Sequence, residues 1–246
     1  MDAVIIAAGY GSRLASLSPS KPLTPVCGVP LIEIGIRQAA AAGVTRVVVV
    51  TGHRATEVEA FLATLMQRLD ITIDSVRVAD WSKPNGHSVI AGASLCKGDY
   101  LLMMADHMFD SAILASLMQA GSNSCDVTLA IDRRTDSPLV DPDDATWVKT
   151  DGSGLITEIG KNIPAWDAVD CGAFLATPRL AEAIGAAIAA GKPGSLSDGM
   201  QWLADRNLAA TVEIGGAWWM DVDDPRAHEI AEELAPQYLA AAFAQI

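Results

Sequence analysis

The stretch Val4-Ile5-Ile6-Ala7-Ala8-Gly9-Tyr10-Gly11-Ser12-Arg13-Leu14 opens the chain with a wholly apolar run that drops into a glycine turn and then meets a cation. The run has the length and β-branched content of a buried strand, and the small residues after it leave peptide N–H groups free to approach phosphate oxygens. Two common phosphate loops are excluded. The Rossmann G-x-G-x-x-G fingerprint fails because position 14 is Leu, and no G-K-[ST] of a P-loop follows.

Outward from this stretch, strand and helix alternate. Residues 30–42 carry helical periodicity closed by Gly43, and 46–51 form a second apolar strand. Residues 56–69 put Val58, Phe61, Leu62, Leu65, Met66 and Leu69 on one helical face, and 71–78 read as a strand. A helix at 88–95, a strand at 100–105 ending at Asp106, a helix at 111–119 and a strand at 127–131 continue the pattern. Repeated βα units with strands apolar on both faces predict an α/β fold, a mostly parallel sheet flanked by helices. From about 132 to 175 the rhythm changes to short strands (146–150, 155–159, 169–175) broken by Pro, Asp and Gly, which predicts a small antiparallel β-rich extension. Helices at 178–190 and 198–206, a strand at 210–214 and a helix from Pro225, expected to break at Pro236, complete one domain over 1–246.

With 17 Lys+Arg against 30 Asp+Glu the net charge is −13, which argues against a nucleic-acid or anionic-membrane surface; phosphate chemistry would need local cations. The cysteines Cys27, Cys96, Cys125 and Cys171 stand far apart, so neither a zinc site nor a disulfide framework is suggested and a reducing cytoplasm fits. No basic leader and no apolar run of about 18–20 residues is present, so a soluble protein without stable membrane insertion is expected.

Those local cations are Arg13 and Lys21, the latter in Lys21-Pro22-Leu23 ahead of Gly28-Val29-Pro30-Leu31. The glycine loop followed by Lys-Pro resembles the opening signature of the nucleotidyltransferase superfamily of sugar-phosphate and alcohol-phosphate NTP transferases. The resemblance implies a Rossmann-like fold of the nucleotide-diphospho-sugar transferase type. It also implies that the backbone of Ala7, Ala8, Gly9 and Gly11 cradles the triphosphate, that Arg13 meets its outer phosphates, and that Lys21 lies near the α-phosphate.

Asp106 follows an apolar strand, at the carboxyl end where open α/β sheets bind ligands. Asp221 and Asp223, in Trp218-Trp219-Met220-Asp221-Val222-Asp223, share a face if extended. Three carboxylates would repel a triphosphate unless Mg²⁺ lay between. The family places metal-binding acids at matching positions, which marks Asp106 and one of Asp221 or Asp223, the other being open to a helix-capping role before Pro225. His107, next to Asp106, is expected to face the opposite way. Asn85, Gly86 and Ser88 resemble the family's base-contacting segment, with Ser88 equally readable as a helix N-cap; Thr51-Gly52-His53 falls at the same sheet edge. By the same resemblance Lys161 binds the acceptor's phosphate and Asp170, in Val169-Asp170-Cys171-Gly172, reaches acceptor hydroxyls or a cationic head group. Trp147, Trp166 and Trp218 offer a candidate cage for a quaternary ammonium.

Within the superfamily, Ala105-Asp106-His107, Ile159-Gly160-Lys161-Asn162, Leu196-Ser197-Asp198-Gly199 and the late acidic motif are most similar to the inositol-1-phosphate cytidylyltransferases. That implies in-line attack of an acceptor phosphate on the α-phosphorus of CTP, with Lys21, Lys161 and Mg²⁺ as the charge-bearing groups, to give CDP-inositol for lipid synthesis and pyrophosphate. Such enzymes often carry a fused membrane synthase domain; none follows within these residues, so a separate membrane CDP-alcohol phosphotransferase is the expected consumer. Phosphocholine cytidylyltransfer, sugar 1-phosphate nucleotidyltransfer and a non-catalytic nucleotide or sugar-phosphate sensor are the alternatives. The apolar stretch 232–246 would pack on its own domain or form a homodimer.

Overall fold

The computed structural model describes residues 1–122 and 125–244. Strand β1 (Asp2–Ile6) leads through 3-10 turns at Ser12–Leu14 and Lys21–Leu23 to the hairpin β2 (Pro25–Val26) and β3 (Val29–Pro30). Then come α1 (Leu31–Ala41), β4 (Arg46–Thr51), α2 (Ala55–Leu65), β5 (Thr72–Arg77), α3 (Gly86–Ala93), β6 (Tyr100–Met104), β7 (His107–Phe109) and α4 (Ser111–Ala120). The second half holds β8 (Val127–Asp132), β9 (Trp147–Thr150), β10 (Ile156–Gly160), β11 (Ala168–Ala176), α5 (Arg179–Ala189), α6 (Leu196–Ala204), β12 (Ala209–Glu213), β13 (Trp219–Asp221), α7 (Pro225–Tyr238) and α8 (Ala240–Phe243).

β1 lies between β4 and β6, parallel to both, and β5 continues the sheet beyond β4. On the other side β11 runs antiparallel to β6 and β8, and β12 returns parallel to β8. The strand alternation sorts the core into two layers. Ile5, Val47, Val49, Leu101 and Met103 face α1, α2 and α4, whereas Val4, Val48, Val50, Tyr100 and Leu102 face α3, α5 and α6. With both faces covered, these strands need apolar residues at every position, which is why the valine run 47–50 is wholly buried.

The region 132–175 does not stand apart from this sheet. β11 is one of its interior strands, and only the antiparallel pair β9–β10 branches from it, through Ala168 and Val169. Helix α2 ends at Leu65 and the chain tightens into turns (Arg68 N–H to Leu65 O, 2.9 Å), so Met66 is exposed rather than part of the buried face. Ser88 sits inside α3 and is no N-cap; the helix starts at Gly86 after Asn85.

A third core forms where α7 covers the β2–β3 hairpin, burying Leu14, Val26, Leu31, Ile34, Met108, Trp218, Met220 and Val222. Pro236 lies within α7 and does not break it. A proline there has no N–H for the Glu232 carbonyl, and that oxygen is met instead by Cys27 Sγ at 3.2 Å while Glu232 Oε1 accepts the Cys27 N–H at 2.8 Å. The helix cap is Asp224, whose Oδ1 accepts the Ala227 N–H at 2.7 Å, so neither Asp221 nor Asp223 is needed for that role. The stretch 232–244 packs on its own domain, with Leu239 and Ala242 in the third core; Gln245 and Ile246 lie outside the described residues.

Candidate active site

Two adjoining pockets open at the carboxyl ends of β1 and β6. The first is lined by Ala7, Gly9, Gly11, Ser12, Arg13, Lys21, Asp106 and Asp223. Gly11 adopts φ 63°, and a Cβ there would stand 2.7 Å from Lys21 Cδ. The glycine therefore serves less to open the loop than to let the Lys21 stem lie across it, bringing its ammonium 2.5 Å from Asp106 and into contact with Asp223. Arg13 pairs with Asp223 and, at 2.5 Å, with Asp144. Ala8 supports this loop from behind, its carbonyl accepting the His53 N–H at 2.9 Å.

The second pocket shares Asp106 and Asp223 with the first and adds Asn85, His107, Asp144, Thr146, Lys161, Asp170, Ser197, Trp219 and Asp221. Lys161 is paired with Asp144, and Asp170 Oδ1 accepts the Gly172 N–H at 2.7 Å. The structure thus brings together Arg13, Lys21, Asp106, Lys161, Asp170, Asp221 and Asp223, residues as much as 210 positions apart. Both Asp221 and Asp223 line the second pocket.

Gly86 and Ser88 line neither pocket. The position of a Cβ on Gly86 is filled by the Gly194 carbonyl and Ile184 Cγ2, and Ser88 is buried in α3. Asn85 does reach the second pocket, but its Oδ1 is engaged by the Leu196 N–H at 2.8 Å, tying α3 to α6.

His107 does not turn away. β6 ends at Met104, so Asp106 lies in the turn before β7 rather than on a continuous strand, and the alternation rule does not apply to the pair. His107 Nδ1 is 2.8 Å from Asp106 Oδ1 and 3.7 Å from Asp221 Oδ1, and its ring stacks on Trp219. Burial by itself would lower this imidazole, but Asp221 and the Asp106 hydrogen bond overcome it and raise it to about 9. Burial pushes Asp170 up to about 6; burial also drives Asp221 up, with Asp106 and Asp144 adding to the effect, to about 7. Gly172 makes room for the histidine: at φ 75° it sits in the register shift of β11, where a Cβ would be 2.7 Å from His107 Cγ.

The tryptophan cage is not formed. Trp147 and Trp166 stack on each other, Trp218 stacks on Tyr238 in the third core, and none of the three lines the second pocket. Its one indole is Trp219, whose Nε1 donates to the buried Asp132 Oδ2 at 2.8 Å; Arg134 holds that carboxylate from the far side.

Among the described residues, two groups of ligand atoms lie close enough to share a cation: Asp106, His107 and Asp221, and Asp144, Asp221 and Asp223. Asp221 Oδ1 is buried with no hydrogen-bond partner among the described residues, the condition of an oxygen awaiting a cation. The residues present therefore fit a hard divalent ion such as Mg²⁺.

A family model, the MobA-like NTP transferase domain, matches residues 3–203. The chain belongs to that family. A protein of Rubrobacter xylanophilus named bifunctional IPC transferase and DIPP synthase is 33% identical over 240 residues, covering 95% of this chain and 52% of that protein. The namesake from Aquifex aeolicus is 30% identical over 234 residues, covering 94% and 51%. The chain thus spans about half the length of these curated relatives. The solved inositol-1-phosphate CTP transferase from T. maritima superposes with a TM-score of 0.82 at 21% identity, over 94% of this chain and 95% of that one. A putative glucose-1-phosphate thymidylyltransferase from Bacillus anthracis also gives 0.82, at 18% identity over 100% and 97%. These likenesses establish the nucleotide-diphospho-sugar transferase fold. Among the described residues no helix is long and apolar enough to cross a membrane.

Sequence reading missed Asp144 and the inward turn of His107 in this NTP transferase domain. Asp144 sits in Asp141-Pro142-Asp143-Asp144, which has the composition of a solvated loop. His107 had one available signal, the Gly172 that faces it.

Proposed function

We propose that this chain is a Mg²⁺-dependent cytidylyltransferase that joins CTP to a phosphorylated alcohol, inositol 1-phosphate before others, to give a CDP-alcohol and pyrophosphate. The observation that carries the reading is the shared wall: one pocket with Arg13 and Lys21 and one with Lys161 meet at Asp106 and Asp223. A triphosphate in the first and a phosphomonoester in the second would bring their phosphates together there. The relatives named IPC transferase and the T. maritima neighbour support the choice of acceptor.

The acceptor phosphate is already ionised, so no base is required to generate the nucleophile. One of its oxygens forms a bond to the α-phosphorus as the bond to the bridging oxygen of the β-phosphate breaks, and pyrophosphate leaves with that electron pair. Arg13 would hold the outer phosphates, Lys21 would neutralise charge at the α-phosphate, and Lys161 would place the acceptor phosphate. For this, Arg13 and Lys161 must leave Asp144 and take phosphate oxygens instead. Bound Mg²⁺, held by Asp221 together with Asp106 or with Asp223, would offset carboxylate and phosphate charge and stabilise the leaving pyrophosphate.

Asn85, His107, Thr146, Asp170 and Ser197 give the second pocket hydrogen-bonding groups suited to a polyhydroxylated ring, and the lack of an aromatic cage disfavours phosphocholine. The same polar lining supports a sugar 1-phosphate as the second reading. A pyrophosphate-release screen crossing CTP, UTP, ATP, GTP and dTTP with inositol 1-phosphate, phosphocholine, glycerol 3-phosphate and glucose 1-phosphate tests it. Turnover with CTP and inositol 1-phosphate is expected; turnover only with another pair moves the substrate assignment, and tight nucleotide binding without any release points to a sensor.

A further inference from the structure

Three aromatic rings stand together at the sheet edge beside the first pocket, and the proposed chemistry does not use them. Tyr10 lies between the pocket-lining Gly9 and Gly11, His53 follows β4, and Trp81 follows β5. Tyr10 meets His53 edge-on at 4.7 Å, His53 meets Trp81 edge-on at 5.1 Å, and the Tyr10 and Trp81 centroids are 6.1 Å apart. The group is anchored to the phosphate loop: the His53 N–H donates to the Ala8 carbonyl, and a Cβ on Gly52 would be 2.7 Å from both Trp81 Cβ and that carbonyl. Yet Tyr10 and Trp81 remain 48% and 43% exposed.

Large rings held in contact but left open to water provide stacking surface for a flat partner. The neighbouring Gly9 has nothing within 4 Å of where a Cβ would stand, so the backbone between the rings and the phosphate pocket is uncovered. Asn85, Gly86 and Ser88, the residues the sequence offered to the base, are engaged elsewhere or buried. We infer that Tyr10 and Trp81, backed by His53, form a stacking wall for the nucleobase of the nucleoside triphosphate. This rests on the nucleotidyltransferase reading. It makes nucleoside affinity depend on π-stacking from one side.

The test uses Trp81→Ala, Tyr10→Ala and Trp81→Phe in the full chain, with pyrophosphate release as readout and tripolyphosphate, which lacks a base, as competitor. Each alanine variant is expected to raise the KM for CTP about five- to a hundredfold, with the acceptor KM, kcat and the inhibition constant of tripolyphosphate within about twofold of wild type. Trp81→Phe keeps a π-face and should stay within about threefold. Unchanged CTP KM in both alanine variants would overturn the wall and leave nucleotidyl transfer standing, pointing instead to a protein partner for the rings. Tripolyphosphate weakened in parallel with CTP would also overturn it, because the effect would then lie with the phosphates. Wild type that neither binds nor turns over any nucleoside triphosphate would refute the functional reading and the wall with it.

Discussion

Replacing Gly172 by alanine tests whether the second pocket is shaped by the packing of His107 against β11. Two costs can be assigned. At φ 75° an alanine pays for left-handed backbone, about 1–2 kcal/mol, and its methyl would lie 2.7 Å from His107 Cγ and 2.8 Å from Nε2. The ring cannot retreat freely, since Trp219 stacks on it and Asp106 holds its Nδ1, so overpacking adds about 1–3 kcal/mol. The expected loss is about 2–5 kcal/mol, read by urea unfolding at neutral pH. The acceptor KM should rise with the displaced imidazole while the CTP KM stays near wild type. The double variant with His107→Ala separates the two costs: relative to His107→Ala alone, Gly172→Ala should then cost only the backbone share, about 1–2 kcal/mol. A loss below about 1 kcal/mol in the wild-type background, or equal losses in both backgrounds, would refute the packing argument.

Three further outcomes follow from the same geometry. Lys21→Met should lower stability, because Asp106 and Asp223 lose the cation they share, and in the folded fraction lower kcat by about a hundred- to a thousandfold through loss of charge neutralisation at the α-phosphate; activity within about threefold of wild type would remove Lys21 from the mechanism. In metal-free buffer the Asp221 carboxyl, at about 7 when folded, binds its proton more tightly than in the unfolded chain. Its stabilising contribution is full below about pH 4 and lost as pH rises through about 7, so the stability of Asp221→Asn relative to wild type should rise between about pH 4 and 7 and level off above; a flat difference in unfolding midpoints across that window would contradict this. Asp132→Asn removes a buried carboxylate that Arg134 and Trp219 both hold, and should cost about 1.5–3 kcal/mol in urea unfolding while raising the acceptor KM and sparing that of CTP.

The sequence by itself determined the elements whose rules are local. Apolar runs placed β4, β6 and β8 to within a residue, and β1 within two, because a strand covered on both faces must be apolar throughout, and Gly43 closed α1 where a left-handed residue was needed. The glycine loop and the place of Asp106 were legible for the same reason, since turn chemistry and the strand's carboxyl end depend on a few neighbouring residues, whereas Arg13 and Lys21 were singled out through the resemblance of the opening signature. Only the tertiary structure decided which face a residue shows when its element ends early, as at Asp106 and His107, and whether a proline would break α7. It alone brought Asp144 from an acidic loop onto Arg13 and Lys161, dispersed the three tryptophans, and built β11 into the middle of the sheet. Each of these depends on the packing of segments far apart in the chain, where the energy of a contact is set by what arrives from elsewhere and leaves no period or spacing in the local sequence.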